Sequence, residues 1–213
     1  MVVSPSTLWP SVLLAGPTGS GKTPLGDEME RRGLRGRRCL HFDFGANLRA
    51  AAAGKAGEYE LTAAELKVIR ASLASGALFE DRDTLMIVKI LRRFAEMRGL
   101  TPDSVLVLNG LPRHRSQAEA IAAVVAVERV ISLEADAAVI RERILLDPGL
   151  DRAGRGDDDL KAVIGRLETF QKRTAPLLDF YRERGVPVSV IRVTARMTAA
   201  EMYCEFDLTI AEG

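Results

Sequence analysis

The run Gly16-Pro17-Thr18-Gly19-Ser20-Gly21-Lys22-Thr23 constrains this chain more than any other stretch. It fits G-x-x-x-x-G-K-[ST] without substitution and follows the apolar run Val12–Ala15 directly. A short buried strand there would hand the chain to a loop whose first, fourth and sixth residues are glycine. Glycine accepts positive φ and puts no Cβ between backbone N–H groups and a bound anion. The helix that follows adds the positive end of its dipole. In such a loop Lys22 reaches the β- and γ-phosphates and the Thr23 hydroxyl ligates Mg²⁺. A glycine-rich turn that fits by accident is the plainer alternative, and the strand before it and helical pattern after it argue against that. The loop implies bound ATP or a close relative, held by Gly16, Gly19, Ser20, Gly21, Lys22 and Thr23.

Length and composition agree with one α/β domain. The 213 residues are enough for a proper core, and 47% apolar with 28% charged residues is ordinary for a globular chain. Thirty basic against twenty-nine acidic residues leave no field that would favour nucleic acid or a membrane surface as partner. The basic group Arg31, Arg32, Arg35, Arg37 and Arg38 reads as the solvated end of the first helix and the turn after it rather than an RNA patch. Met1–Pro10 lacks a signal-peptide pattern, and no apolar run approaches the ~20 residues of a membrane span. Cys39 and Cys204 read as buried free thiols of a protein in a reducing cytoplasm. The expectation is a cytoplasmic monomer.

Five apolar segments read as buried strands: Val12–Ala15, Arg38–Phe42, Val105–Leu108, Val130–Leu133 and Val188–Val193. Helical patterns lie between them at Pro24–Arg32, Thr62–Ser75, Asp83–Arg98, Ser116–Val127, Ala137–Leu146, Asp159–Thr174 and Leu177–Arg184, with Pro176 breaking the last two apart. Thr62-Ala-Ala-Glu65 is a capping-box pattern. Alternating strands and helices predict a parallel sheet covered on both faces, with ligands at the carboxyl ends of the strands. Residues 46–99 hold more helix than one crossover needs and read as an insertion forming a second substrate site. Residues 147–158, polar and glycine-containing, read as a short flap; the core is then 1–45, 100–146 and 159–213.

Four motifs then bear on function. They are His41-Phe-Asp-Phe-Gly-Ala-Asn-Leu-Arg49, Leu106-Val-Leu-Asn-Gly-Leu-Pro-Arg113 with Gln117-Ala118 after it, Arg152-Ala-Gly-Arg155-Gly-Asp157-Asp158, and Arg166-Leu-Glu-Thr-Phe-Gln-Lys-Arg-Thr-Ala-Pro176-Leu-Leu-Asp-Phe-Tyr181. In order and spacing they resemble those of the adenylate kinase family of nucleoside monophosphate kinases, from about residue 11 to 208. The resemblance implies a P-loop NTPase fold with a five-stranded parallel sheet, a helical insertion that binds the nucleoside monophosphate, and a short lid. It also implies Mg²⁺-dependent phosphoryl transfer from ATP, with AMP the leading acceptor.

The family's roles carry over to named residues. Lys22, Arg113, Arg143, Arg155 and Arg166 would be the catalytic cations, with Arg143 and Arg152 also on the donor side. Arg49 and Arg113 would hold the acceptor's α-phosphate. Gln117 would hydrogen-bond the acceptor base, with Phe44, Gly45, Phe79 and Gly110 around it and the backbone of residues 76–79 lining it. The chemistry is consistent: phosphoryl transfer needs converging positive donors and exclusion of water rather than covalent catalysis, and guanidinium forks suit phosphate oxygens. His41 and His114 are therefore expected to be structural or solvent-exposed.

The departures from the family pattern matter as much. Asn109 stands where the family has the aspartate that organises the Mg²⁺ waters, and an amide is a poorer partner for a hard cation. Ala46 and Asn47 replace an acid and a leucine, Asp43 replaces a serine, and Phe44 replaces the threonine that meets the acceptor base. Asp147 falls where short-lid relatives carry an arginine. Two alternatives follow: a kinase with another acceptor, such as a pyrimidine nucleotide, or a nucleotide-binding sensor with little transfer activity. A tRNA-modifying transferase shares a similar phosphate loop but not the four downstream motifs.

Overall fold

The computed structural model describes residues 8–149 and 160–211, including their side chains except at 56, 160–163, 166 and 209–211. Five parallel strands, β1 (Trp9–Ala15), β2 (Cys39–Asp43), β3 (Val105–Asn109), β4 (Val125–Glu134) and β5 (Val188–Arg192), form one sheet in the order β2-β3-β1-β4-β5. β1 is central, so the loop that follows it leaves the sheet where the chain crosses to opposite sides on successive returns. That is the crevice at which open parallel sheets bind ligands.

Alternation along the strands builds two cores. Val12 and Leu14 face one way, with Val105, Val107 and Ile131, toward α1 (Lys22–Arg32) and the C-terminal helix. Leu13 and Ala15 face the other way, with Leu40, Phe42, Leu106 and Leu108. That second face is covered by residues of α2 (Phe44–Ala52), α3 (Ala63–Ser75), α4 (Thr84–Met97), α5 (Arg115–Ile121) and α8 (Pro176–Arg182). α6 (Ala137–Leu146) and α7 (Leu160–Thr169) stand at the carboxyl side of the sheet, beside the phosphate loop. The helices of the 46–99 stretch thus share a hydrophobic cluster with the strands. The edge-on contact of Phe42 with Phe94 of α4, ring centres 5.0 Å apart, is part of that joint.

Several expectations need correction. The helix expected over Ser116–Val127 stops at Ile121, and Val125 already belongs to β4. Val124, Val125 and Val127 are β-branched, and Trp9–Ser11 pairs with Val125–Val127, so tertiary pairing overrides the alanine-rich helical pattern. Two helices do part before Pro176, as expected, but the first α-helix ends earlier, at Thr169. Phe170–Thr174 widens into a π-type turn, closed by Ala175 N–H donating to the Phe170 carbonyl at 2.8 Å. α8 then starts with Pro176 in its first turn, where a missing N–H costs nothing.

The C-terminal helix α9 (Ala199–Ala211) lies outside the helical patterns read from the sequence, although its start signal is there. Thr198-Ala-Ala-Glu201 repeats the Thr62-Ala-Ala-Glu65 box, and both boxes form: the Glu65 carboxylate accepts from Thr62 N–H at 2.7 Å, and Glu201 from Thr198 N–H at 2.7 Å. α9 buries Met202, Tyr203 and Phe206 and turns Cys204 outward, so only Cys39 is a buried thiol. Burial pushes the Cys39 thiol up to about 11. Native protein at pH 8 is expected to take up one iodoacetamide, at Cys204, and a second only after unfolding; mass spectrometry counts both.

The approach of α1 to β2 depends on one small residue. A Cβ at Gly26 would overlap the His41 imidazole, with Nε2 the first atom it meets. Helix propensity alone would make Gly26→Ala stabilising by about 0.5–1 kcal/mol. Here overpacking, typically about 1–3 kcal/mol, reverses the sign. Urea denaturation of Gly26→Ala is expected to show a net loss on the order of 1 kcal/mol.

Candidate nucleotide site

The phosphate loop is built as its glycines require. Gly21, at φ 99°, is the residue before α1, and no side chain caps the helix there. The start of α1, where a helix cannot satisfy its own N–H groups, borders the cleft through Gly21, Lys22 and Thr23. Lys22 folds over the loop and donates to the Gly16 and Pro17 carbonyls, both at 2.7 Å. Ser20 is fully buried, and its hydroxyl is one of two buried side-chain atoms without a hydrogen-bond partner among the described residues, the other being that of Ser132.

One continuous cavity of about 1140 Å³ runs from this loop to a second cationic station. The loop residues Gly16, Gly19, Gly21, Lys22 and Thr23 line one end. Phe44, Gly45, Arg49, Phe79, Gly110, Arg113 and Gln117, all expected around the acceptor, line the same cavity. Arg49 and Arg113 are exposed in it, on different elements that converge from α2 and from the turn after β3. Arg113 Nε donates to the Gly110 carbonyl at 3.1 Å, which points the guanidinium along the turn.

Other side chains have roles the sequence did not suggest. Arg143 is 3% exposed and sunk among backbone carbonyls: Nε donates to Gly19 at 3.3 Å, and Nη1 to Thr194 at 2.6 Å and Met197 at 2.9 Å. It clamps the phosphate loop to the segment between β5 and α9. Gln117 is buried; its Oε1 accepts from Arg113 N–H at 2.8 Å and its Nε2 donates to the Phe79 carbonyl at 3.0 Å. His114 Nε2 meets the same carbonyl at 2.9 Å, so residues 79, 113, 114 and 117 form one braced corner. Phe44 is buried edge-on against Phe79, ring centres 5.7 Å apart, and backs this corner.

Thr23, the expected Mg²⁺ ligand, has company the sequence did not reveal. Its hydroxyl donates to Asp43 Oδ2 at 2.8 Å and accepts from Asn109 Nδ2 at 3.0 Å. Asn109 Nδ2 also lies 3.3 Å from Asp43 Oδ2 and 3.2 Å from His41 Nε2. His41 Nδ1 faces the Asp27 carboxylate at 2.8 Å. A proton on Nδ1, shared with Asp27, leaves Nε2 to accept from Asn109. His41 is thus a buried strut. The expected donor-side residues Arg152 and Arg155, with Asp157 and Asp158, lie outside the described residues, as does the Arg166 side chain; its neighbour Gly165 lines the cavity.

A central parallel sheet with this loop at the end of β1, and a cationic cleft opposite, is the architecture of a P-loop NTPase of the adenylate kinase type. Sequence comparison agrees. The chain is 33% identical over 186 residues to an adenylate kinase of Synechococcus sp. (strain WH7803), covering 84% of this chain and 88% of that one. It is 35% identical over 186 residues to an adenylate kinase of Parasynechococcus marenigrum, and 36% over 186 residues to another of Synechococcus sp. (strain CC9311), at the same coverage. No family model matches it. The chain belongs to the adenylate kinase family, whose members are nucleoside monophosphate kinases. No helix among the described residues is long and apolar enough to cross a membrane.

The clamp is testable. Lysine cannot reproduce a guanidinium fork. Hydrogen bonds from charged donors contribute roughly 1.5–3 kcal/mol each. Arg143→Lys is expected to lower the thermal midpoint by several degrees and weaken ATP binding, read by differential scanning fluorimetry and calorimetry.

Proposed function

We propose that this chain catalyses reversible, Mg²⁺-dependent transfer of the γ-phosphoryl group from ATP to a nucleoside monophosphate, with AMP as the acceptor. The observation that carries this reading is the continuity of the cavity from the phosphate loop to the Arg49–Arg113 station. A hydrolase or a simple nucleotide sensor has no need of a second anion-binding end joined to the first. Lys22 and the N-terminus of α1 hold the donor's phosphates, and Arg49 with Arg113 hold the acceptor's. Cations at both ends let two polyanions approach, and charge developing on the transferring group is met by groups already in place. Thr23 Oγ1 is the loop oxygen that would hold Mg²⁺ when it is bound with ATP, and the ion would supply positive charge against the phosphates.

Closure of the 147–158 lid and movement of the 46–99 insertion complete the reading. They would bring Arg152, Arg155 and Arg166 to the phosphates and exclude the water that would otherwise hydrolyse ATP. A second acceptor class is favoured by one feature: Phe44 occupies the position beside the braced corner at Phe79 and Gln117, which narrows the space for a base.

The test is coupled ADP formation with ATP, Mg²⁺ and a panel of AMP, GMP, CMP and UMP. Turnover with AMP is expected to exceed that with the pyrimidine nucleotides, and Lys22→Ala is expected to lower kcat roughly 10²–10³-fold, the scale for loss of one preorganised donor. Arg49→Ala and Arg113→Ala are expected to raise the KM for AMP more than that for ATP. Tight ATP binding with no transfer to any acceptor would overturn the proposal.

A further inference from the structure

Asp43 and Asn109 are direct neighbours across the β2–β3 pair, at the carboxyl ends of both strands. Residues paired in this way project from the same face of a sheet, so a group on either one reaches the same space. That space is beside Thr23, whose hydroxyl hydrogen is directed at Asp43 Oδ2. A hydroxyl oxygen has two lone pairs, and Asn109 uses one. The other is left for a ligand. The two acids that the resemblance would lead one to expect, at positions 46 and 109, are alanine and asparagine. Among the described residues, Asp43 is therefore the carboxylate in contact with the loop threonine.

We propose that the metal-organising carboxylate has moved one strand across the sheet. Asp43 supplies the negative oxygen for the Mg²⁺ that accompanies ATP, and Asn109 is its neutral partner. Asn109 fits that role because its amide nitrogen donates toward Asp43 and Thr23 together. An aspartate at 109 would instead set two carboxylates against each other about one hydrogen-bond length apart. The departures at 43 and 109 are then one coupled change rather than two losses. Mg²⁺ takes few carboxylates, and one beside a hydroxyl and the phosphates is a sufficient oxygen set.

Asp43 also caps α2, its Oδ1 accepting from Ala46 N–H at 2.8 Å. An asparagine at this position would keep that cap, because asparagine is as good an N-cap as aspartate. Asp43→Asn thus removes charge while leaving the helix start intact.

The inference rests on the reading of the cleft as an ATP site, but its test does not require transfer. The measurement is ATP affinity by titration calorimetry in excess Mg²⁺ and in EDTA, for wild type, Asp43→Asn and the exchanged variant Asp43→Asn/Asn109→Asp. Asp43→Asn is expected to lose about 10–100-fold of the tightening that Mg²⁺ gives, the range for loss of a metal's supporting ligand. In EDTA the same variant is expected to bind ATP no more weakly than wild type, since a carboxylate near the polyphosphate has been removed. The exchanged variant is expected to recover most of the Mg²⁺ effect, which a capping role alone would not produce. An unchanged Mg²⁺ effect in Asp43→Asn would overturn the inference. Should that variant fail to fold, loss of the Mg²⁺ effect in a folded exchanged variant would overturn it equally. Mg²⁺-linked binding that depends on Asp43, with no transfer to any monophosphate, would defeat the proposed function and leave this inference standing.

Discussion

A loop that binds phosphate through its backbone has to be held open by something other than its own side chains. Glycines at 16, 19 and 21 give the loop in this protein its path and leave it little to pack with. The restraint comes from cations on its carbonyls. Lys22 ties Gly16 and Pro17 together, and Arg143 ties Gly19 to the segment after β5. Ser20 N–H, which donates to the Pro17 carbonyl at 3.3 Å, tightens the loop further. The sheet order serves the same end, since β1 lies in the middle and the loop is braced from the β4–β5 side as well as from α1.

The seam between α1 and β2 sets the chemistry next to that loop. Gly26 lets the helix come close enough for His41 to lie against it, and Glu30 of the same helix accepts from His41 N–H at 2.7 Å. With the helix at that height, Thr23 meets Asp43 and Asn109. His41, Asp43 and Asn109 share one sheet face, so packing and site geometry are the same set of contacts. The second end of the cleft is held differently, by a corner in which Phe79, Arg113, His114 and Gln117 hydrogen-bond one another and Phe44 backs them. Both ends carry cations, and the far end adds an aromatic wall of Phe44 and Phe79.

Much of this is legible in the chain. The buried strands are near-continuous apolar runs because both sheet faces are covered, and they stand out for that reason. The phosphate loop is readable from its own spacing, whereas the residues that line the far end of the cleft can be grouped from sequence only through their resemblance to the family's motifs. Boundaries are less legible where two patterns compete, as at residues 122–127, where alanines suggest helix and valines suggest strand. α9 is hard to see in spite of its capping box, since a short amphipathic helix near a chain end gives a weak period. Cys204 turns outward because burial depends on which face of that helix meets α1.

The sequence by itself determined the local chemistry: a glycine-rich anion loop after a buried strand and the cations that could serve it. Those follow from backbone freedom, charge and spacing, which are properties of short segments. Only the tertiary structure decided what each side chain touches. Arg143 serves as a clamp, Gln117 as a brace, and Asp43, not residue 109, puts its carboxylate on Thr23. These outcomes depend on strand order and register, which bring residues 23, 43 and 109 within hydrogen-bond distance although 86 positions separate the first from the last.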